Sequence, residues 1–219
     1  MLTSCRLEAE AQAELVGRVP RSGALRSKVY MPVKPPVSSL LRRSTAKRST
    51  MTADNLLRLA GETVNAVPTC LAITIDGNGD ANARAINTSK LTDEWTVRFM
   101  TDRRTRKVGE IGRTGRMTLV YFHQAGGAYV TLVGRARIID DVAVKQAIWQ
   151  PGSFKWHPGG PTDPNVVLVE FMTERIETWN TPGQIVPDPT KGLWAAVLTR
   201  DANSWRYAGT SREVGFNPR

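Results

Sequence analysis

The segment Phe99–Ile111, FMTDRRTRKVGEI, decides how this chain is read. Phe99 closes an apolar-rich run, WTVRFM, of strand character. Thr101 and Asp102 then form a polar break with helix-cap chemistry. Val108 and Ile111 stand three residues apart, the spacing of a short amphipathic helix facing a core. The segment therefore predicts a strand end, a turn and a helix start, with Thr105, Arg106 and Lys107 at the helix N-terminus. Cations oppose the positive end of a helix dipole unless an anion sits there too. Free backbone N–H groups, a hydroxyl, a guanidinium and an ammonium together make a phosphate cradle. The same residues also suit a solvated basic turn, and taken alone they leave both readings open.

Upstream, Leu56, Leu59, Ala60 and Thr63 fall on one helical stripe, so a short helix is expected from Thr52 to before Pro68. TCLAITI (69–75) reads as a strand, DGNGD as a hairpin turn, RAINTSKL (84–91) as the return strand and 95–101 as a third strand. Downstream, MTLVYFH (117–123) and YVTLVGRARII (129–139) read as strands, and 142–149 as a helix. A Pro/Gly-rich loop follows, then a strand or bent strand pair over 166–171 and 175–179. Beyond Asn180 the signals weaken: TPGQIVPDPTKG reads as a loop and LWAAVLTR (193–200) as a helix. Short strands at hairpin spacing with few helices predict a mainly β fold, an antiparallel barrel or sandwich. No regular βαβ alternation, GxGxxG or GxxxxGK[ST] occurs, which argues against a Rossmann sheet or a P-loop.

With 219 residues, 41% of them hydrophobic, the chain can bury one proper core. The net charge of +10 divides unevenly. Residues 1–50 carry ten Lys/Arg against three Asp/Glu, a net of +7, which leaves twenty against seventeen, a net of +3, for the rest. The basicity belongs mostly to a tail, so the domain loses the usual signature of nucleic-acid binding. Three segments are expected: a basic extension over 1–50, a globular domain over 51–182 and a C-terminal extension over 183–219 that packs on it. The extension is acid-poor from Leu15 to Thr50 and rich in Arg and Ser, as transit peptides are, but Glu8, Glu10 and Glu14 depart from that pattern. It reads as disordered, as a transit peptide or as an over-long start before Met51. Cys5 and Cys70 are the only cysteines, and His123 and His157 the only histidines, so neither a disulfide framework nor a His-based metal site is expected. No apolar run approaches the roughly 18 residues of a membrane span. A soluble, reducing, intracellular setting is expected, cytoplasmic, or organellar if the leader directs it there.

Four segments in order resemble the pyridoxamine 5′-phosphate oxidase-like FMN-binding split β-barrels, in the branch called general stress proteins. They are ARAIN (83–87), the opening FMTD…RK, YVTLVGRARIIDD (129–141), and Trp149…WHPGGP…Asp163 with its following VLVEF. The resemblance implies a six-stranded antiparallel split β-barrel with flanking helices that forms a homodimer, with FMN at the subunit interfaces. Arg84 would then reach the FMN phosphate from its strand, and Thr105, Arg106 and Lys107 from the helix start. Ala85, Ile86, Met100 and Thr101 would lie along the ring or ribityl chain, while Trp156 and Trp179 would cover the ring or anchor a core or interface.

There are departures. Ser89-Lys90 stands where the wider family has a Lys, Tyr129 where it has a Gln, and the C-terminal Arg-x-His of the true oxidases is missing. Pyridoxamine-phosphate oxidation is therefore not expected, and the FMN-dependent oxidoreductase implied would act on some other small substrate. A non-catalytic flavin-binding module and a cofactor-free interaction domain are the alternatives. The phosphate cradle does not distinguish FMN from FAD or a deazaflavin. His157 is a candidate hydrogen-bond donor or simply exposed, and His123 reads as structural. Arg135 and Arg137 are expected in solvent or paired with Asp140 and Asp141. No Ser-His-Asp order or paired carboxylates stand out.

Overall fold

The computed structural model describes residues 51–182, 194–202 and 204–214. The expected extension over 1–50 and most of the loop expected over 181–192 lie outside them. The described chain is mainly β, an antiparallel sheet with flanking helices. Its elements run α1 (Ala53–Ala66), β1 (Thr69–Ile75), β2 (Ala81–Asn87), β3 (Thr96–Asp102), α2 (Arg106–Thr114), β4 (Arg116–His123), β5 (Ala128–Ile139), α3 (Val142–Ile148), β6 (Val166–Asn180), β7 (Ala196–Asp201) and β8 (Ser204–Thr210). A short 3₁₀ turn, Pro151–Lys155, lies between α3 and β6.

Thr52 caps α1 by accepting from Asn55 N, and the helix buries the expected stripe of Leu56, Leu59, Ala60 and Thr63 together with Val64. Leu56, Leu59, Ala60 and Val64 join Val97, Phe99, Leu119, Leu132, Phe171 and Ile176 in one apolar core. In the β1–β2 hairpin, Asp76 Oδ1 accepts from Asn78 N (2.9 Å) and Asp80 N (3.0 Å). Gly79, at φ +91°, makes the reversal. The turn closes so tightly that pairing resumes at once, Ile75 opposite Ala81. The return strand thus spans Ala81–Asn87 rather than 84–91.

β6 is the spine of the sheet. It pairs with β5 along its length, with β3 along its first half (Thr96 opposite Met172) and with β7 along its second (Arg175 opposite Thr199). The strand pair expected here is one bent strand. Its register with β5 shifts between Val133 and Gly134, where a Cβ on Gly134 would run into the Met172 carbonyl oxygen.

Two expectations are corrected. The helix expected over 193–200 is the strand β7: a short apolar run carries no decisive period, and the second half of β6 has an open edge that only a strand can pair. β8 follows it, and its alternation of Trp205 and Tyr207 with polar residues was a strand signal; both rings pack on the core. Arg135 and Arg137 do lie largely in solvent, 68% and 63% exposed, but their ion pairs run across strands and not to Asp140 and Asp141. Arg135 Nε donates to Glu174 Oε1 (2.8 Å) and Arg137 Nε to Glu170 Oε1 (2.8 Å), because the register sets Arg137 opposite Glu170.

Candidate functional site

α2 follows β3 after a turn built on Asp102. Its carboxylate accepts from Arg104 N and pairs with the Arg104 guanidinium, which is the first reason its pKa falls to about 2. Thr105 stands at the N-cap, but its hydroxyl donates to Asp102 O (2.7 Å) and accepts from Lys107 Nζ (3.2 Å) instead of capping. The first turn holds no acidic residue. The positive helix end therefore meets two cations, Arg106 and Lys107, with no acidic residue in its first turn to offset them.

A buried carboxylate one turn further on sorts these cations. Glu110, 5% exposed, accepts from the Thr74 hydroxyl, Asn82 Nδ2 and Arg84 Nη2 (3.2 Å), and pairs with Arg106 Nε (3.2 Å). Burial alone would raise its pKa, but the Thr74 and Arg84 hydrogen bonds and the charges of Arg84 and Arg106 outweigh that and hold it below the usual range. Thr105 and Arg106 line an open cleft of about 440 Å³ with Arg103, Arg104 and Arg113. Each of these arginines already has a partner: Arg103 has Asp140, Arg104 has Asp102, Arg106 has Glu110 and Arg113 has the Ile75 carbonyl.

Lys107 points elsewhere. It lines a cavity of about 1150 Å³ whose floor is the Arg98–Thr101 part of β3. One wall is Ala85–Lys90, from the end of β2 onward. The other comes from α3 and the 3₁₀ turn: Ala147, Ile148, Gln150, Ser153, Trp156 and His157. Among the described residues, Lys90, Arg98 and Lys107 line this cavity, and no Asp or Glu does. Lys107 makes no ion pair among the described residues; burial first, then the charge of Arg84, pushes its ammonium pKa down, against the opposing charge of Asp102. The Trp156 ring is 65% exposed at the rim, with Lys155 Nζ 5.0 Å from its centroid. Behind it, Trp149 packs edge-on against Phe154 (5.3 Å).

The structure thus gathers Ala85, Ile86, Met100, Thr101, Lys107 and Trp156 around one cavity, and sets Thr105 and Arg106 on the neighbouring cleft. Arg84 lines neither and is held by Glu110. Trp179 lies on the outer face of the sheet, stacked on Tyr129 at 6.2 Å. Sequence reading missed Glu110 and Arg98. Glu110 stands four residues after Arg106, a helical pair spacing, and Arg98 is a lone charge inside an apolar strand.

The described chain is thus an antiparallel sheet with flanking helices, and a cavity lined by Lys90, Arg98 and Lys107 opens beside the start of α2. The family model described as pyridoxamine 5′-phosphate oxidase like matches residues 57–202, and the chain belongs to that family. General stress protein 26 of Bacillus subtilis (strain 168) is 30% identical over 91 residues, 40% of this chain. The matched stretch spans 64% of that relative's own length. Among solved structures, a protein related to general stress protein 26 from Clostridium acetobutylicum superposes with a TM-score of 0.52 at 23% identity, covering 58% of this chain and 89% of that one. General stress protein 26 from Bacillus anthracis str. Sterne gives 0.50 at 20% identity, covering 57% and 93%. These two structures share the fold. Among the described residues, no helix is long and apolar enough to cross a membrane.

Proposed function

We propose that this chain binds FMN in the larger cavity and acts as a flavin-dependent oxidoreductase on a small substrate, in a soluble, intracellular setting. One observation carries the reading: Lys107, half-buried at the first turn of α2, faces a cavity that no described Asp or Glu lines, and makes no ion pair among the described residues, feeling only the Asp102 charge. A buried cation is costly unless an anion joins it. The donor set fits a flavin nucleotide. Lys107 and the α2 N–H groups suit the phosphate, with Thr105 beside them. Arg84 and Arg106, fixed by Glu110, add positive potential behind it. Ala85, Ile86, Met100 and Thr101 offer a strip of backbone and apolar side chain for the ring, and Trp156 a rim aromatic. The volume exceeds the roughly 300–1,000 Å³ of common small-molecule sites, leaving room for a second ligand. When bound, the flavin supplies the hydride or electron transfer; the chain's residues hold the phosphate, shield the ring from water and place donors around it.

The experiment is titration of the purified protein with FMN, followed by flavin absorbance and fluorescence. Saturable binding is expected; its absence refutes the reading. FAD and a deazaflavin serve as comparison ligands. Stopped-flow mixing of the loaded protein with NADH or NADPH then separates an oxidoreductase from a non-catalytic flavin module. One observation favours the second reading: among the described residues, no carboxylate lines the cavity to serve as acid or base.

The same proposal includes a homodimer. The outer face of β1, β4 and β5 carries an apolar group beside Thr118, Thr131, Arg116 and Arg135. The register sets Leu71 (46% exposed) opposite Val120, and Phe122 (65% exposed) opposite Tyr129, which lies opposite Trp179. A contiguous exposed apolar patch of this kind marks an interface. Trp179 would then serve a flavin across that interface. Phe122→Glu is expected to raise the dimer dissociation constant about 30-fold or more. Light scattering across a dilution series checks this, and an unchanged mass would assign the dimer to another face.

A further inference from the structure

The larger cavity is basic at both ends. At one stands Lys107; at the other stands Arg98, three residues back along β3 from Thr101, about 10 Å at the rise of a strand. Three observations show that the Arg98 end is built rather than incidental. Arg98 gives Nε (2.7 Å) and Nη2 (2.6 Å) to one oxygen of Glu170, a carboxylate only 5% exposed, while Nη1 donates to no described residue. Glu170 is held from its other oxygen by Arg137 (2.5 Å), so the cluster of two guanidiniums and one carboxylate keeps a net positive charge. The adjoining segment is locked beside it: Ser89 N donates to Arg98 O (2.7 Å) and Arg98 N to Ser89 Oγ (3.0 Å). That lock brings Lys90 and the Thr88 hydroxyl to the same end of the cavity, and Thr88 is anchored by the buried Tyr121 hydroxyl at 3.1 Å.

A solvated arginine needs no such frame. Here a buried carboxylate aims the guanidinium, a second arginine neutralises that carboxylate, and a second cation and a hydroxyl stand alongside. We propose that the Arg98–Lys90 end is a second anion subsite, which recognises the carboxylate or phosphate of the molecule that shares the cavity with the flavin. This rests on the flavin reading above, which assigns the Lys107 end to FMN. The substrate class is thus a small anionic molecule, anchored by its charge at Arg98 with its apolar part toward Met100 and Trp156.

The test uses FMN-loaded protein titrated with inorganic phosphate and, separately, with benzoate, read as a shift of the flavin visible spectrum and as a change in tryptophan fluorescence. Saturable binding of at least one anion is expected: phosphate alone would assign a phosphate ester, benzoate alone a carboxylate. Arg98→Gln should weaken that anion at least about tenfold, and Lys90→Gln about threefold or more, with Arg98→Lys restoring part of the loss. FMN affinity should stay within about threefold in all three. No anion binding to the loaded wild-type protein, or binding that survives both Gln variants, overturns the proposal. So does a parallel loss of FMN in the variants, which would make Arg98 part of the flavin's own site. If Arg98→Gln fails to fold, Lys90→Gln, which removes no described ion pair, carries the comparison. If the wild type takes no FMN, the flavin reading fails; the same titration on the unloaded protein then still decides whether Arg98 binds anions.

Discussion

Replacing Lys107 with Ala should raise the FMN dissociation constant about 10- to 100-fold, while Arg106→Ala should change it by less than about threefold. A charge-assisted contact to phosphate contributes about 1.5–3 kcal/mol, and each 1.4 kcal/mol is tenfold. The two cations are neighbours in sequence but not in role. Lys107 faces the larger cavity without a carboxylate, and Arg106, 67% exposed, is tied to Glu110 over the open cleft. An exposed, already paired guanidinium contributes little to a ligand on the other side of the helix start. The double variant should lose at least tenfold in affinity while keeping its fold, by circular dichroism and denaturant midpoint. There is a pH arm as well. Phosphate favours the charged ammonium, and burial and Arg84 have lowered the pKa of Lys107. FMN affinity should therefore begin to fall on the alkaline side below the ordinary lysine value of about 10.4, and Lys107→Ala should lack that limb. Fluorescence titrations across pH check both arms. Equal effects of the two single variants, or none in the double, would refute the cradle as drawn.

The elements that carry the proposed cradle were legible in the sequence, but the partition of its cations was not. A strand, a polar break and a helix start are local patterns, and FMTDRRTRKVGEI supplies all three. So are the β-branched run of β1 and the Asp-Gly turn after it, which explains why those elements fall where expected. The direction each cation takes depends on carboxylates far away in the chain. Arg84 meets Glu110 from 26 residues back, and Arg98 meets Glu170 from 72 residues away. No spacing rule reaches that far. Glu110 itself reads as the polar face of a short helix; only the packing of α2 on β1 and β2 buries it. The β7 strand was missed for a related reason: its state is set by the open edge of β6, not by its own period. The resemblance to the general stress proteins ordered the segments, and the matched residues 57–202 agree with it.

Glu110→Ala is the substitution expected to cost the fold most. Its carboxylate joins three elements: Thr74 on β1, Asn82 and Arg84 on β2, and Arg106 on α2 itself. Removing it leaves Arg84, 22% exposed, without its carboxylate partner and beside Lys107, on which only the Asp102 charge acts in compensation. Breaking a fully buried pair costs about 3–5 kcal/mol; because Arg84 and Arg106 both reach water, about 2–4 kcal/mol is expected here. At roughly 2–4 °C per kcal/mol for a domain of this size, the melting temperature should drop by about 4–16 °C. The pH dependence has a definite sign. The folded pKa of Glu110 lies below its unfolded value, so its contribution is present above the ordinary carboxylate range and is lost as pH falls through the folded pKa. The wild type should thus lose stability steeply on acidification below about pH 4.5, and Glu110→Ala should show a flatter profile, the two converging in acid. Urea midpoints at neutral pH and through the acid range measure this. A neutral-pH difference under about 0.5 kcal/mol would mean that Glu110 organises no network, and the separation of Arg106 from Lys107 would then need another cause.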